Sequence, residues 1–196
     1  MDKIEVSQYA FDLAQAHVQQ YFPLEKVANH PSHRFWIEGS NPNFQGLIGE
    51  LAFATWLGAM PIEKYIEQRP IYKRDKGKDI VVGKYRIDVK TPALRVTPKS
   101  YHSFLIEAAL VENNVADLYA CQFVIKPDFK EVYLMGFGTP EDIMAFGQKK
   151  MKGDTIYGRV VAGYDGYLIS AQHLQSPDDW KIKLKGLQIN DTLSPI

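Results

Sequence analysis

Two aspartates flank an apolar run in Lys78 to Pro92, KDIVVGKYRIDVKTP, and a lysine follows the second by two residues. With Gly83 and Lys84 as a two-residue turn, Val82 faces Tyr85, Val81 faces Arg86, Ile80 faces Ile87 and Asp79 faces Asp88. Opposed residues share a face, with Cβ atoms about 4.5 to 5.5 Å apart, and opposed like charges destabilise the pair unless something positive lies between them. Hard carboxylate oxygens on neighbouring strands suit a divalent cation such as Mg2+, with Mn2+ able to substitute. Lys90 returns to the face of Asp88 roughly 6 to 7 Å along the strand, which brings an ammonium beside that ion.

A third carboxylate, Glu50, stands in GLIGELAFATWLG among apolar residues. Gly46 and Ala54, four residues to either side, offer it no intrahelical cation. An acid on a mostly apolar helix needs a partner from elsewhere, and an ion shared with Asp79 and Asp88 would supply one. The pattern of an acid two residues before a lysine recurs at Asp128/Lys130 and Asp179/Lys181, so the triplet alone says little. Only Asp88/Lys90 has an opposed acid across an expected hairpin and an upstream glutamate.

The elements that must position these residues follow from periodicity. Ile4 to Phe22 reads as an amphipathic helix ended by Pro23, and Asn29 to Asn43 as a long loop. Asn43 as N-cap and Gly58 as stop bracket a second helix. Lys78 to Val82 and Tyr85 to Thr91 read as the hairpin. Ser103 to Val111 fits strand or helix, whereas Asp117 to Ile125 and Glu131 to Phe137 read as strands joined by KPDF. Thr139, Pro140 and Asp142 announce another helix. Gly158 to Leu174 suggests one or two strands and a turn of helix before a polar tail. Helix, hairpin, strands and helix in this order imply an α/β domain on a mixed sheet.

The order Glu50, Asp79, Asp88-Val89-Lys90 resembles the PD-(D/E)xK nuclease superfamily, the restriction-endonuclease-like enzymes, over about Asn43 to Phe137. Lys78 stands where the motif has proline. The resemblance implies a restriction-endonuclease-like core, a central mixed sheet flanked by helices, in one domain over residues 1–196. Residues 1–42 would be an N-terminal helix and loop, 43–137 the motif-bearing core, and 138–196 a C-terminal elaboration. It further implies Mg2+-dependent hydrolysis of DNA phosphodiester bonds. Asp79, Asp88, the Val89 carbonyl and Glu50 would hold the metal, and Lys90 would orient the attacking water and offset charge on the phosphate. A catalytically silent nucleic-acid-binding or assembly module with the same fold is the alternative. A third reading makes the acidic pair mere surface on an interaction domain.

The substrate side rests on charge placement, because 23 basic and 23 acidic residues cancel. Lys73, Arg74, Lys76 and Lys78 precede Asp79, and Arg86, Arg95, Lys99 and His102 extend a track for a phosphate backbone. His30 and His33 lack further histidine or cysteine nearby to complete a zinc set. Phe35, Trp36 and Phe44 suit core packing better than base stacking. Cutting both strands of a duplex calls for two sites, which makes a homodimer an expectation. One cysteine, Cys121, and an N-terminus without the layout of a secretory signal lead us to expect a cytoplasmic protein with no membrane partner.

Overall fold

The computed structural model describes residues 1–21, 42–58, 65, 79–158, 160–184 and 187. Their strands are β1 (Asp2–Glu5), β2 (Ile80–Val82), β3 (Tyr85–Lys90), β4 (Ala93–Leu94), β5 (Ser103–Glu107), β6 (Leu118–Ile125), β7 (Glu131–Gly138), β8 (Gln148–Lys150), β9 (Thr155–Tyr157), β10 (Val160–Val161) and β11 (Gly166–Ser170). The helices are α1 (Gln8–Tyr21), α2 (Pro42–Leu57), α3 (Ala108–Glu112), α4 (Pro140–Phe146) and α5 (Pro177–Leu184). The mixed main sheet runs β1-β7-β6-β3-β2, and β4 continues the line of β3 along β6. The β3/β6 and β4/β6 pairs are parallel and the rest antiparallel. A smaller antiparallel sheet has the order β5-β11-β8, and β9 pairs with β10. This is the expected α/β domain on a mixed sheet flanked by helices, and none of the described helices is long and apolar enough to cross a membrane.

The hairpin forms in the expected register, Ile80 with Ile87, Val81 with Arg86 and Val82 with Tyr85. Gly83 takes φ 58° at the first turn position, a conformation that an L side chain rarely adopts. Period-2 alternation then splits the central strands between two cores. Ile87 and Val89 of β3, with Leu118, Ala120 and Val124 of β6, join the core built by α1, α2 and α5. Tyr119, Cys121 and Phe123 face the other way and pack with Phe104 and Ile106 of β5 and Tyr167 and Ile169 of β11.

Helix α2 includes Asn43 instead of starting after it, because Pro42 at the first position has no N–H to leave unbonded. Gly58 ends the helix at φ 64°, its N–H donating to the Thr55 and Ala54 carbonyls. Phe44 packs edge-on against Phe11 and Phe129, which makes it a core residue. The Thr139 and Asp142 capping box opens α4 as expected.

Two expectations are corrected. Residues 2–5 form an edge strand antiparallel to β7, and the helix begins only at Gln8, where the Ser7 hydroxyl accepts from Ala10 N–H. The single apolar position Ile4 fits either period, so pairing with Val132 decides. The expected polar tail contains α5, whose Trp180 and Leu184 are buried; Trp180 meets the Tyr85 ring edge-on at 5.5 Å. Asp178 and Asp179 in its first turn and Lys181 and Lys183 in its last complement the helix dipole. The ambiguous stretch Ser103 to Val111 divides into β5 and the start of α3.

Candidate active site

Parallel pairing sets Asp88 beside Tyr119 and Lys90 beside Cys121, so the acid and the amine project toward the second core. Asp88 is 2% exposed, yet its Oδ2 lies 2.7 Å from Lys90 Nζ. The Lys90 side chain keeps 26% of its surface accessible, which makes it the open end of the pair. Burial acts against its charged form, but the Asp88 carboxylate, with Asp79 beyond it, outweighs burial and holds the amine protonated well above its ordinary range.

Asp79 stands where the hairpin ladder ends. Its N–H donates to the Ile87 carbonyl at 2.9 Å, and its Oδ2 accepts from the Val89 N–H at 2.7 Å. The expected strict opposition of Asp79 and Asp88 is thus relieved at the last position. One carboxylate turns to a backbone donor on the partner strand and the other meets an ammonium. Asp79, Asp88 and Lys90 form one electrostatic cluster at the end of the hairpin.

Glu50 is 5% exposed, and its Oε2 accepts from the Tyr65 hydroxyl at 2.7 Å. Its helix packs on the face of Ile87 and Val89, whereas Asp88 and Lys90 alternate to the opposite face. Among the described residues no three of His, Cys, Asp and Glu group closely enough to hold a metal ion. Glu50, Asp79 and Asp88 therefore do not form a three-carboxylate cage here. The donor chemistry fits a different arrangement, since Mg2+ commonly takes one or two carboxylates and keeps several waters for a substrate phosphate to replace. Asp79 and Asp88 would be those two carboxylates.

Part of the expected phosphate track falls among the described residues. Arg86 is paired: Nε and Nη2 grip Asp117 at 3.0 and 2.8 Å, and Nη2 also donates to the Asn114 carbonyl. That fork ties β3 to the approach to β6 and leaves the Arg86 side chain 40% exposed. Arg95, Lys99 and His102 lie on the segment after β4, where Lys99 N–H donates to His102 Nδ1. Lys73, Arg74, Lys76 and Lys78, like His30, His33, Phe35 and Trp36, lie outside the described residues.

Sequence reasoning missed the tyrosines around the pair. Tyr119 is fully buried with its hydroxyl unpartnered among the described residues, and burial, then the Asp88 carboxylate, push its phenol upward. Tyr164 donates to the Leu105 carbonyl at 3.2 Å and lies close enough to feel the Lys90 charge. The signal is absent from local sequence, because it depends on the β3/β6 register and on how the small sheet covers the main one. Comparison with known protein families, with curated proteins and with solved structures finds no match.

Proposed function

We propose that the chain is a metal-dependent deoxyribonuclease with a restriction-endonuclease-like core, hydrolysing DNA phosphodiester bonds in a cytoplasmic setting. The observation that carries this reading is the cluster itself: two carboxylates, one just before β2 and one buried on β3, with the Lys90 amine 2.7 Å from the buried one. Asp79 and Asp88 would hold Mg2+ or Mn2+, with the carbonyl of Val89, the residue after Asp88, as a further oxygen donor. When bound, such an ion polarises the scissile phosphate and lowers the pKa of a bound water. Lys90 offsets charge gathering on the phosphate and orients the attacking water. Glu50, held by Tyr65, acts through the packing of α2 and not as a ligand in this arrangement.

A nucleic-acid-binding or assembly module without catalysis is the second reading. The depth of Asp88 and the lack of a third carboxylate among the described residues favour it. Incubation with linear duplex, single-stranded, flapped and four-way-junction DNA and with RNA, in Mg2+, Mn2+ or EDTA, separates the two. Metal-dependent cleavage that disappears in Asp88→Ala and Lys90→Ala supports the nuclease. Binding without cleavage in every condition supports the module.

A further inference from the structure

Two residues beyond Lys90, about 7 Å along the chain, begins the wall of a pocket of about 390 Å³. Pro92 beyond the end of β3, Leu94 from β4, Phe123 from β6, Tyr157 from β9, and Tyr101 with His102 line it. Its volume falls in the range of about 300 to 1,000 Å³ typical of small-molecule sites. Half of the lining residues carry aromatic rings, and Ala93 and Ser103 complete the wall. His102 stacks at a tilt on Tyr101 with ring centroids 4.7 Å apart and meets Phe123 at 5.7 Å. Tyr101, the outermost of these rings, is 64% exposed, whereas Phe123 at the floor is buried.

Lys99 stands beside the lining, because its N–H donates to His102 Nδ1 at 2.8 Å. Between Leu94 and Ser103 the chain carries Arg95, Lys99 and His102 and no acidic residue. An aromatic slot with a lysine beside it matches a planar base attached to a phosphate backbone better than it matches an acidic side chain.

We infer that this pocket receives one unpaired base of single-stranded DNA, stacked on Tyr101 and His102, while the adjoining backbone runs toward Lys90. The inference deepens the nuclease reading proposed above and takes its substrate class from it. It makes the preferred substrate one with an unpaired segment beside the scissile bond, such as a flap, a fork or a free single-stranded end.

The test is a binding measurement in EDTA, where cleavage plays no part. A single-stranded oligonucleotide carrying 2-aminopurine is titrated with the wild-type chain, Tyr101→Ala and Tyr101→Trp, and a second oligonucleotide carries an abasic site in place of the probe base. Wild type and Tyr101→Trp should quench the probe, and Tyr101→Ala should weaken single-strand binding roughly five- to a hundredfold while leaving duplex affinity unchanged. The abasic strand should bind wild type as weakly as the intact strand binds Tyr101→Ala. Equal single-strand affinity for wild type and Tyr101→Ala, or no single-strand binding at all, overturns the inference. Metal-dependent cleavage with that result leaves the nuclease standing without the pocket. Tyr101-dependent binding with no cleavage leaves the pocket standing without the nuclease.

Discussion

Lys90 and Asp88 stand two residues apart on one strand, and their charged atoms meet at 2.7 Å beneath a second sheet that leaves only 3% of the Asp88 side chain exposed. A carboxylate at that depth is sustained by its partner. Truncating the partner strands a buried charge, at a cost of about 3 to 5 kcal/mol. Lys90→Met should therefore lower urea-denaturation stability by about that amount. Asp88→Asn/Lys90→Met should be more stable than Lys90→Met alone, because the stranded charge is gone. Strictly additive losses across the cycle would show that the pair is not coupled.

Arg86 and Asp117 should give the acid limb of the stability profile. The Arg86 hydrogen bonds hold the Asp117 carboxyl below its ordinary value; partial burial opposes this, and the Arg86 N–H and guanidinium charge add to the lowering. A folded-state value below the unfolded one means stabilisation that is complete above about pH 4. It is lost as pH falls through the depressed folded value. Melting temperature measured from pH 6 downward should fall more steeply for wild type than for Asp117→Asn. Parallel curves would show that the fork contributes nothing of this kind.

Two glycines three residues apart on α2 should respond to alanine with opposite signs. A Cβ on Gly49 would overlap Thr91 Oγ1 and lie 2.6 Å from Thr91 Cβ and 2.7 Å from Gln122 Nε2. Gly49→Ala must push the helix off β3 and should cost about 1 to 3 kcal/mol. A Cβ on Gly46 meets nothing within 4 Å. Gly46→Ala should stabilise by about 0.5 to 1 kcal/mol through helix propensity. Chemical denaturation of both variants checks the pair, and a shared sign would contradict the packing described for α2.

How much of this was legible beforehand depends on the range of the interactions involved. The hairpin register was readable because a two-residue turn and a period of 2 are local, and Gly83 supplies the turn's positive φ. Thr139 and Asp142 were readable for the same reason. Strand β1 was not, since its identity comes from pairing with residues more than a hundred positions away. The site divides along the same line. Asp79, Asp88 and Lys90 come together through neighbouring strands, whereas the place of Glu50 depends on which face of the sheet α2 covers. Arg86 looked available to a ligand because its partner, Asp117, is 31 residues distant. Helix α5 was the one legible element overlooked, for its proline start and its split of acids and lysines are plain in Pro177 to Leu184.

Asp79 offers a way to remove charge from the cluster without removing structure. Its Oδ2 accepts from the Val89 N–H, and an asparagine carbonyl oxygen can accept the same bond. Asp79→Asn should keep the hairpin and shift stability by less than about 1 kcal/mol, whereas Asp79→Ala leaves the Val89 N–H without that acceptor and should cost about 1 to 3 kcal/mol. A nuclease that needs the negative charge loses metal-dependent cleavage equally in both variants. Stability and cleavage therefore separate in Asp79→Asn and fall together in Asp79→Ala. Near-normal turnover by Asp79→Asn in Mg2+ would remove Asp79 from the ligand set and leave it as a clamp on the strand end.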